Sequence, residues 1–359
     1  MTQYFFQNQL KVVELASVLA GPAVGMFFAE LGAEVVKIEN KKTGGDMTRS
    51  WKLPSENPEA TYSAYYASVN WNKQTYLLDL EEESDRTKAY DLLKNADVVI
   101  SNYRNSVAEK LGVDYATLSV MNPQLIFAQL NAFDPHSERP AFDVVLQAEA
   151  GFMYMNGEAD GPPVKMPVAL IDVLAAHQLK EGILLALLRR MQTGQGAYVV
   201  TSLFDAAVAS LVNQATNWLM AGHIPQRMGT QHPNIAPYGD IYRCLDGKSI
   251  LLAVGTEKQF KNLCEVLKVD SIDERFSTNV LRVKNRTALN DWLAAQIATF
   301  DADDLLRLLE KKGVPAASIR NMQEVFELPS AQSLILEEKL PDGTVSKRVK
   351  TVAFELRGF

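Results

Sequence analysis

Apolar residues fall in short blocks whose spacing alternates along the first 200 positions. KVVEL (11–15) is a β-rich run. PAVGMFFAEL (22–31) has helical spacing and stops at Gly32, where a C′ glycine belongs, and EVVKIE (34–39) is β-rich again. Strand, helix and strand within about 30 residues form a βαβ unit, which predicts parallel strands joined by a right-handed crossover. The alternation continues with a strand at TYLLDL (75–80), a charged helix over 81–94, a strand over 97–101, a helix over 104–111 and a strand at LIFAQL (125–130). A long apolar helix at 173–192, ended by TGQG (193–196), precedes a strand at 198–204 and a single helix at 205–222. The pattern predicts an α/β fold, a Rossmann-like open parallel sheet with helices on both faces. Its ligand crevice lies at the carboxyl ends of the strands, at SVLAGP, ENKKTGGD, SNYRNS and NAFDPH.

After residue 222 the texture changes to a Pro- and Gly-containing connector, HIPQRMGTQHPNIAPYGD. A strand pair in IYRCLDGKSILLAV (241–254), turning at Asp246-Gly247, opens a smaller α+β unit with helices near 256–267, 287–299 and 302–312. The tail from 314 reads as short strands and loops that return to the first domain. There is no internal repeat.

Composition narrows the function. Of 359 residues 47% are hydrophobic and 22% charged, enough apolar mass for one large domain and a smaller one. A formal charge of -7 argues against broad nucleic-acid or anionic-membrane binding, so an anionic ligand must meet a local basic cluster. Lys37, Lys41, Lys42, Arg49, Lys73, Arg104, Lys110 and Arg139 lie near the predicted strand ends. Two cysteines, Cys244 and Cys264, and histidines 136, 177, 223 and 232 show no metal-ligand spacing, so no metal is expected. The N-terminus lacks a signal-peptide pattern and no run approaches the ~18 apolar residues of a membrane span, giving a cytoplasmic reading with no membrane partner. Neither GxGxxG nor a P-loop follows the first strand, which weakens the case for a dinucleotide.

One carboxylate stands out. Asp172 lies in PVALIDVLAAHQLKEGILLALLRR (167–190), an apolar stretch just where a helix begins. Aspartate is a favoured N-cap, stabilising a helix by ~1 kcal/mol. A carboxylate held ionised there by backbone N–H groups and the helix dipole is also able to attack an activated acyl carbon. Spacing alone leaves both roles open. His232 in its Pro-rich loop is equally open, and Trp51, Tyr65 and Tyr66 read as core aromatics.

Several segments together resemble the class III (CaiB/BaiF) CoA-transferases, the family of formyl-CoA and carnitine CoA-transferases. They are VVELASVLAGPAVGMFFAELGAEVVKIE, GGDMTRSW, NWNK, ADVVISNYR, RPAFDVVLQAEAG, IDVLAAHQLKEGILLALLRRMQTGQG and HPNIAPYG, in family order over most of the chain. The resemblance implies a large CoA-binding domain from residues 1–222 and 323–359, a small α+β domain at 223–322, and an interlocked homodimer. It implies that Asp172 is the nucleophile, forming an aspartyl anhydride and then an aspartyl-CoA thioester. The substrates are then an acyl-CoA and a small carboxylic acid, with no permanently bound cofactor. CoA contacts map by resemblance onto Val18, Leu19, Ala20, Asn40, Leu78, Asp79, Asn102, Tyr103, Arg104, Lys110 and Arg139, with Trp51 and Asp143 at the acyl pocket. Asn40 replaces an arginine of the formyl-CoA enzyme and Leu19 a glutamine, and no glycine-rich lid appears between 222 and 260, which speaks against formyl or oxalate specificity. An α-methylacyl-CoA racemase of the same fold needs a histidine in a GHD triplet, where this chain has Ala141-Phe142-Asp143. A CoA-binding homologue without activity is the third reading.

Overall fold

The computed structural model describes residues 5–135, 137–340 and 343–357; His136, named among the histidines above, lies outside them. The chain forms two compact units. The first holds Met1–Ala150, Met166–Val212 and Ser330–Phe359, and the second Gly151–Lys165 and Asn213–Pro329.

The first unit is built on a six-stranded parallel sheet of β1 (Lys11–Leu15), β2 (Glu34–Asn40), β3 (Gln74–Leu78), β4 (Val98–Ser101), β5 (Ile126–Asn131) and β6 (Ala197–Ser202). Their spatial order is β3-β2-β1-β4-β5-β6, so the order reverses between β1 and β4. At that switch point the loops leaving neighbouring strands diverge and open a crevice. The alternating pattern of the sequence is borne out here, strand by strand. β1, β2, β4 and β5 are buried almost end to end, the charged Glu14, Lys37 and Glu39 included, because helices cover both faces of a parallel sheet.

The helix Ala20–Glu30 is buried along its whole length. It packs so closely on β1 that a Cβ at Gly21 would collide with that of Ala16, and one at Gly25 with the Glu14 carboxylate. Leu170–Thr193 is the long apolar helix, ending at Gly194 in the left-handed conformation, φ 69°. An antiparallel ribbon, Ile335–Lys339 with Val345–Val349, belongs to the same unit. Beyond it, Glu30 accepts backbone N–H bonds from Thr351 and Val352 at 2.7 and 2.9 Å.

The single helix expected over 205–222 is two helices, Leu203–Ala209 and Val212–Ala221. Apolar spacing runs through the break, but Val212, where the second helix starts, takes φ 35°, outside the right-handed helical region, so the first helix cannot run on through it.

The second unit carries a three-stranded antiparallel sheet of Tyr238–Arg243, Ser249–Ala253 and Ala316–Ser318. The hairpin turns at Gly247, φ 79°. Helices Glu257–Val266, Arg286–Ile297 and Ala302–Lys311 supply Phe260, Leu263, Leu289, Leu293, Leu305 and Leu309 to one core.

Candidate active site

The 170–193 helix has no capping side chain of its own: its N-cap is Ala169, and Asp172 sits inside the first turn. Of the two roles that spacing left open for Asp172, capping its own helix is not the one the structure shows. The capping oxygen comes from Asp143, first residue of the helix Asp143–Glu149, whose Oδ1 accepts from the backbone N–H of Ile171 at 2.7 Å and of Asp172 at 3.3 Å. Its Oδ2 accepts from Gln147 Nε2 at 2.5 Å, and Gln147 Oε1 accepts from the Met166 N–H at 2.8 Å, which ties the segment leading into the helix in place.

Asp143 thus takes the hydrogen bonds that would have stabilised a charge on Asp172. Asp172 is buried, 7% exposed, and its carboxyl accepts no hydrogen bond among the described residues. Burial first, and the Asp143 charge second, push it from an ordinary 3.8 to about 7. A carboxylate held fully ionised by N–H groups and dipole is not what the fold builds. It builds one that is half protonated near neutrality, and more basic and more nucleophilic for that reason when ionised.

Around it the strand-end turns converge. A cleft of about 420 Å³ holds Asp172 together with Val18, Leu19 and Ala20 from the turn after β1 and Asn102, Tyr103 and Arg104 from the turn after β4. Met47, Asn131 and Phe142 complete its wall. A second cleft of about 230 Å³ holds Asn40, Leu78, Asp79 and Lys110, and shares Tyr103 and Val107 with the first. Ten of the eleven residues mapped as CoA contacts fall in these two adjoining clefts at the carboxyl edge of the sheet. Arg139 lines neither; it pairs with Glu149 and lies over the Phe133 ring at 4.3 Å.

The turn after β1 is held in an unusual shape. Val18, a β-branched residue, has φ 72°, a conformation that costs about 1–3 kcal/mol and needs outside support. Asp46 Oδ2 accepts from the Val18 N–H at 3.1 Å, and Asn102 brackets Ser17 by accepting from its N–H at 3.1 Å and donating to its carbonyl at 3.0 Å. Asn102 therefore shapes the turn as well as lining the cleft.

Trp51 is partly exposed, with Tyr65 and Phe142 packed edge-on at centroid distances of 5.0 and 6.2 Å. Tyr65 is not a core aromatic. Burial, then the charges of Asp172, Asp143 and Asp46, push its hydroxyl up to about 12, placing it in the field of both carboxylates. Tyr66 is core, with its hydroxyl donating to Glu39 at 2.8 Å. His232 is structural: its Nδ1 accepts from the Asn234 N–H at 3.1 Å.

The basic cluster of the sequence splits in two. Lys37 and Lys73 are buried and committed to Glu14 at 2.6 and 2.7 Å, with Asp46 3.3 Å from Lys37, while Arg49 forks onto Glu39 at 2.8 and 3.0 Å. These three are a scaffold beneath the turns and not ligand cations. Glu14 and Lys37 were readable as a hint, since a charge inside a strand of a doubly covered sheet has to find a partner. The exposed cations are Lys41, Lys42, Arg104, Lys110 and Arg139, the last outside both clefts. Among the described residues no group of three or more His, Cys, Asp or Glu side chains is arranged to hold a metal ion, and no helix is long and apolar enough to cross a membrane.

Residues 8–358 match the model of CoA-transferase family III. The chain belongs to that family. It is 36% identical to the succinate–glutarate CoA-transferase of Agrobacterium fabrum over 95% of this chain and 87% of that protein. It is 35% identical to the succinyl-CoA:mesaconate CoA-transferase of Haloarcula hispanica over 90% of this chain and 82% of that one. The crystal structure of a CaiB/BaiF family protein from Brucella suis superposes with a TM-score of 0.81 at 37% identity, covering 96% of this chain and 91% of that chain. The chain is therefore an enzyme, a CoA-transferase acting on CoA thioesters and carboxylates, and its α/β architecture is that of the CaiB/BaiF proteins.

Proposed function

We propose that this enzyme transfers CoA from an acyl-CoA donor to a small dicarboxylic acid through covalent intermediates on Asp172. The observation that carries the reading is the Asp172 carboxyl, buried and uncapped, in a cleft that continues to exposed cations at the other end of the sheet edge. Ionised Asp172 attacks the donor thioester carbonyl and expels CoA thiolate, giving a mixed anhydride. The thiolate attacks the aspartyl carbonyl, releasing the donor acid and leaving an aspartyl-CoA thioester. The acceptor carboxylate attacks that carbonyl and expels the thiolate again, which then takes the new acyl group and frees Asp172. Each step exchanges one activated acyl bond for another, so the sequence needs positioning and no external energy. Well-aligned groups reach effective molarities of ~10⁵–10⁸ M, and the aromatic wall of Trp51, Tyr65 and Phe142 limits water around the activated aspartyl group.

Dicarboxylic substrates are suggested by the relatives, which are named for succinate, glutarate and mesaconate. CoA lies along the two adjoining clefts, its thiol at Asp172 and its phosphates toward Lys42 and Lys110. Phe142 carries no proton, which disfavours a racemase. A homodimer fits the apolar side chains left in solvent, Leu185, Leu188 and Met191 on the 170–193 helix and Trp218, Leu219 and Met220 on the 212–221 helix. The test is a panel of acyl-CoA donors crossed with mono- and dicarboxylic acceptors, run on wild type and Asp172→Ala. Transfer to dicarboxylates by wild type and none by the variant is expected. Transfer retained by a folded Asp172→Ala protein refutes the nucleophile.

A further inference from the structure

The cleft end farthest from Asp172 in the proposed binding mode is electrically neutral, although the ligand proposed for it is strongly anionic. Two lysines meet two carboxylates there. Lys42 Nζ lies 3.1 Å from Asp79 and 2.6 Å from Glu81, and Lys110 Nζ lies 2.8 Å from the other Glu81 oxygen. Glu81 therefore bridges the two ammonium groups as a phosphate would, one oxygen to each.

The two carboxylates are held very differently. Asp79 is buried, its Oδ1 accepts from the Glu81 backbone N–H at 3.0 Å, and its own N–H donates to Asp85 at 3.1 Å. Glu81 is half exposed, and among the described residues its carboxyl is held by the two lysines alone. Exposed ion pairs of this kind contribute little each, so Glu81 is able to leave at small cost, whereas Asp79 stays. When Glu81 leaves, Lys42 keeps its contact with Asp79, Lys110 becomes free, and the site changes from neutral to net positive.

We propose that Glu81 is a resident counter-ion for the nucleotide end of the cleft: it holds Lys42 and Lys110 together in the free enzyme and is displaced when the phosphate on the ribose of the CoA nucleotide binds them. This rests on the CoA placement proposed above and adds a specificity role to it. A nucleotide lacking that phosphate cannot replace Glu81 and leaves the bridge closed. Glu81 also opposes anions too weakly charged to compete with it, so the cleft selects for the doubly phosphorylated nucleotide.

The test uses nucleotide fragments, so that binding is read without turnover. Calorimetric titration of the full-length enzyme with adenosine 3′,5′-bisphosphate and with adenosine 5′-monophosphate is compared with the same titrations of Glu81→Gln. The variant removes the competing charge and keeps the side-chain size. It is expected to bind the bisphosphate about threefold to fivefold more tightly, with a smaller change for the monophosphate and with steeper weakening by salt. Unchanged or weaker bisphosphate binding by Glu81→Gln, or an equal gain for both nucleotides, overturns the counter-ion role and leaves the cleft assignment standing. No saturable bisphosphate binding to either protein overturns the cleft assignment and the proposal with it.

Discussion

At one end of the cleft the Asp172 carboxyl is buried with no hydrogen-bond donor among the described residues and is pushed up to about 7; at the other, Glu81 is half exposed between two lysines and is drawn down to about 2, chiefly by its hydrogen bond from Lys110. The same chemical group is made reactive in one place and into a stable counter-ion in the other. Solvent and partners decide it. Depriving a carboxylate of water and N–H donors raises its basicity, which suits attack on a thioester. Leaving it in water beside exchangeable cations keeps it ionised and replaceable, which suits an entry site for phosphates. Between the two ends lies a third arrangement, the buried Glu14, Lys37 and Lys73 group, whose charges are fixed for shape.

The contrast is broken most completely at Asp172. Asp172→Asn is expected to lower acyl transfer at least ~10³-fold, as loss of a covalent nucleophile does, while making the fold more stable at pH 8. The folded value, about 7, lies above the ordinary 3.8, so the folded protein holds a proton that the unfolded chain has released across that interval. Stability contributed by Asp172 therefore falls as pH rises from about 4 to 7, and at pH 8 the ionised group costs at most about 4 kcal/mol. Urea denaturation of wild type and variant at pH 5 and pH 8 checks it: the variant's advantage is clearly larger at pH 8 than at pH 5.

The scaffold beneath the reacting end comes next. Lys37→Met leaves Asp46 buried without its cation and Glu14 with Lys73 alone, and is expected to destabilise by about 3–5 kcal/mol, read from the same denaturation curves. A smaller effect follows at Asp143. Asp143→Asn keeps an oxygen able to accept from the Ile171 N–H but removes the charge facing Asp172. The acid limb of the kcat/KM profile, near pH 7 in the wild type, is expected to move lower in the variant, while Asp143→Ala also loses the cap and about 1 kcal/mol of stability. The smallest effect is at the far end. Lys110→Gln is expected to raise the KM for the acyl-CoA donor about threefold, with a weaker salt dependence than wild type.

Much of this was legible in the chain. The βαβ alternation predicts the sheet because buried parallel strands read as apolar runs, and Asp172 is conspicuous as a lone acid in an apolar helix start. What stayed hidden depends on contacts distant in sequence. The cap comes from Asp143, 29 residues before the N–H of Asp172, and nothing local in LIDVLAAH shows that Asp172 is denied it. Lys37 and Lys73 look like surface cations until Glu14 is seen between them. The break before Val212 is invisible because apolar spacing runs through it while the backbone does not. Gly151–Lys165 clusters with the second unit although it lies between segments of the first, a grouping no local pattern encodes.

The central claim, that Asp172 becomes acylated during turnover, is tested most directly by mixing enzyme with an acyl-CoA donor, quenching in hydroxylamine and mapping the modified peptide by mass spectrometry. A hydroxamate at residue 172, dependent on the donor, is the predicted result. An unmodified Asp172 in enzyme shown to be turning over contradicts the account.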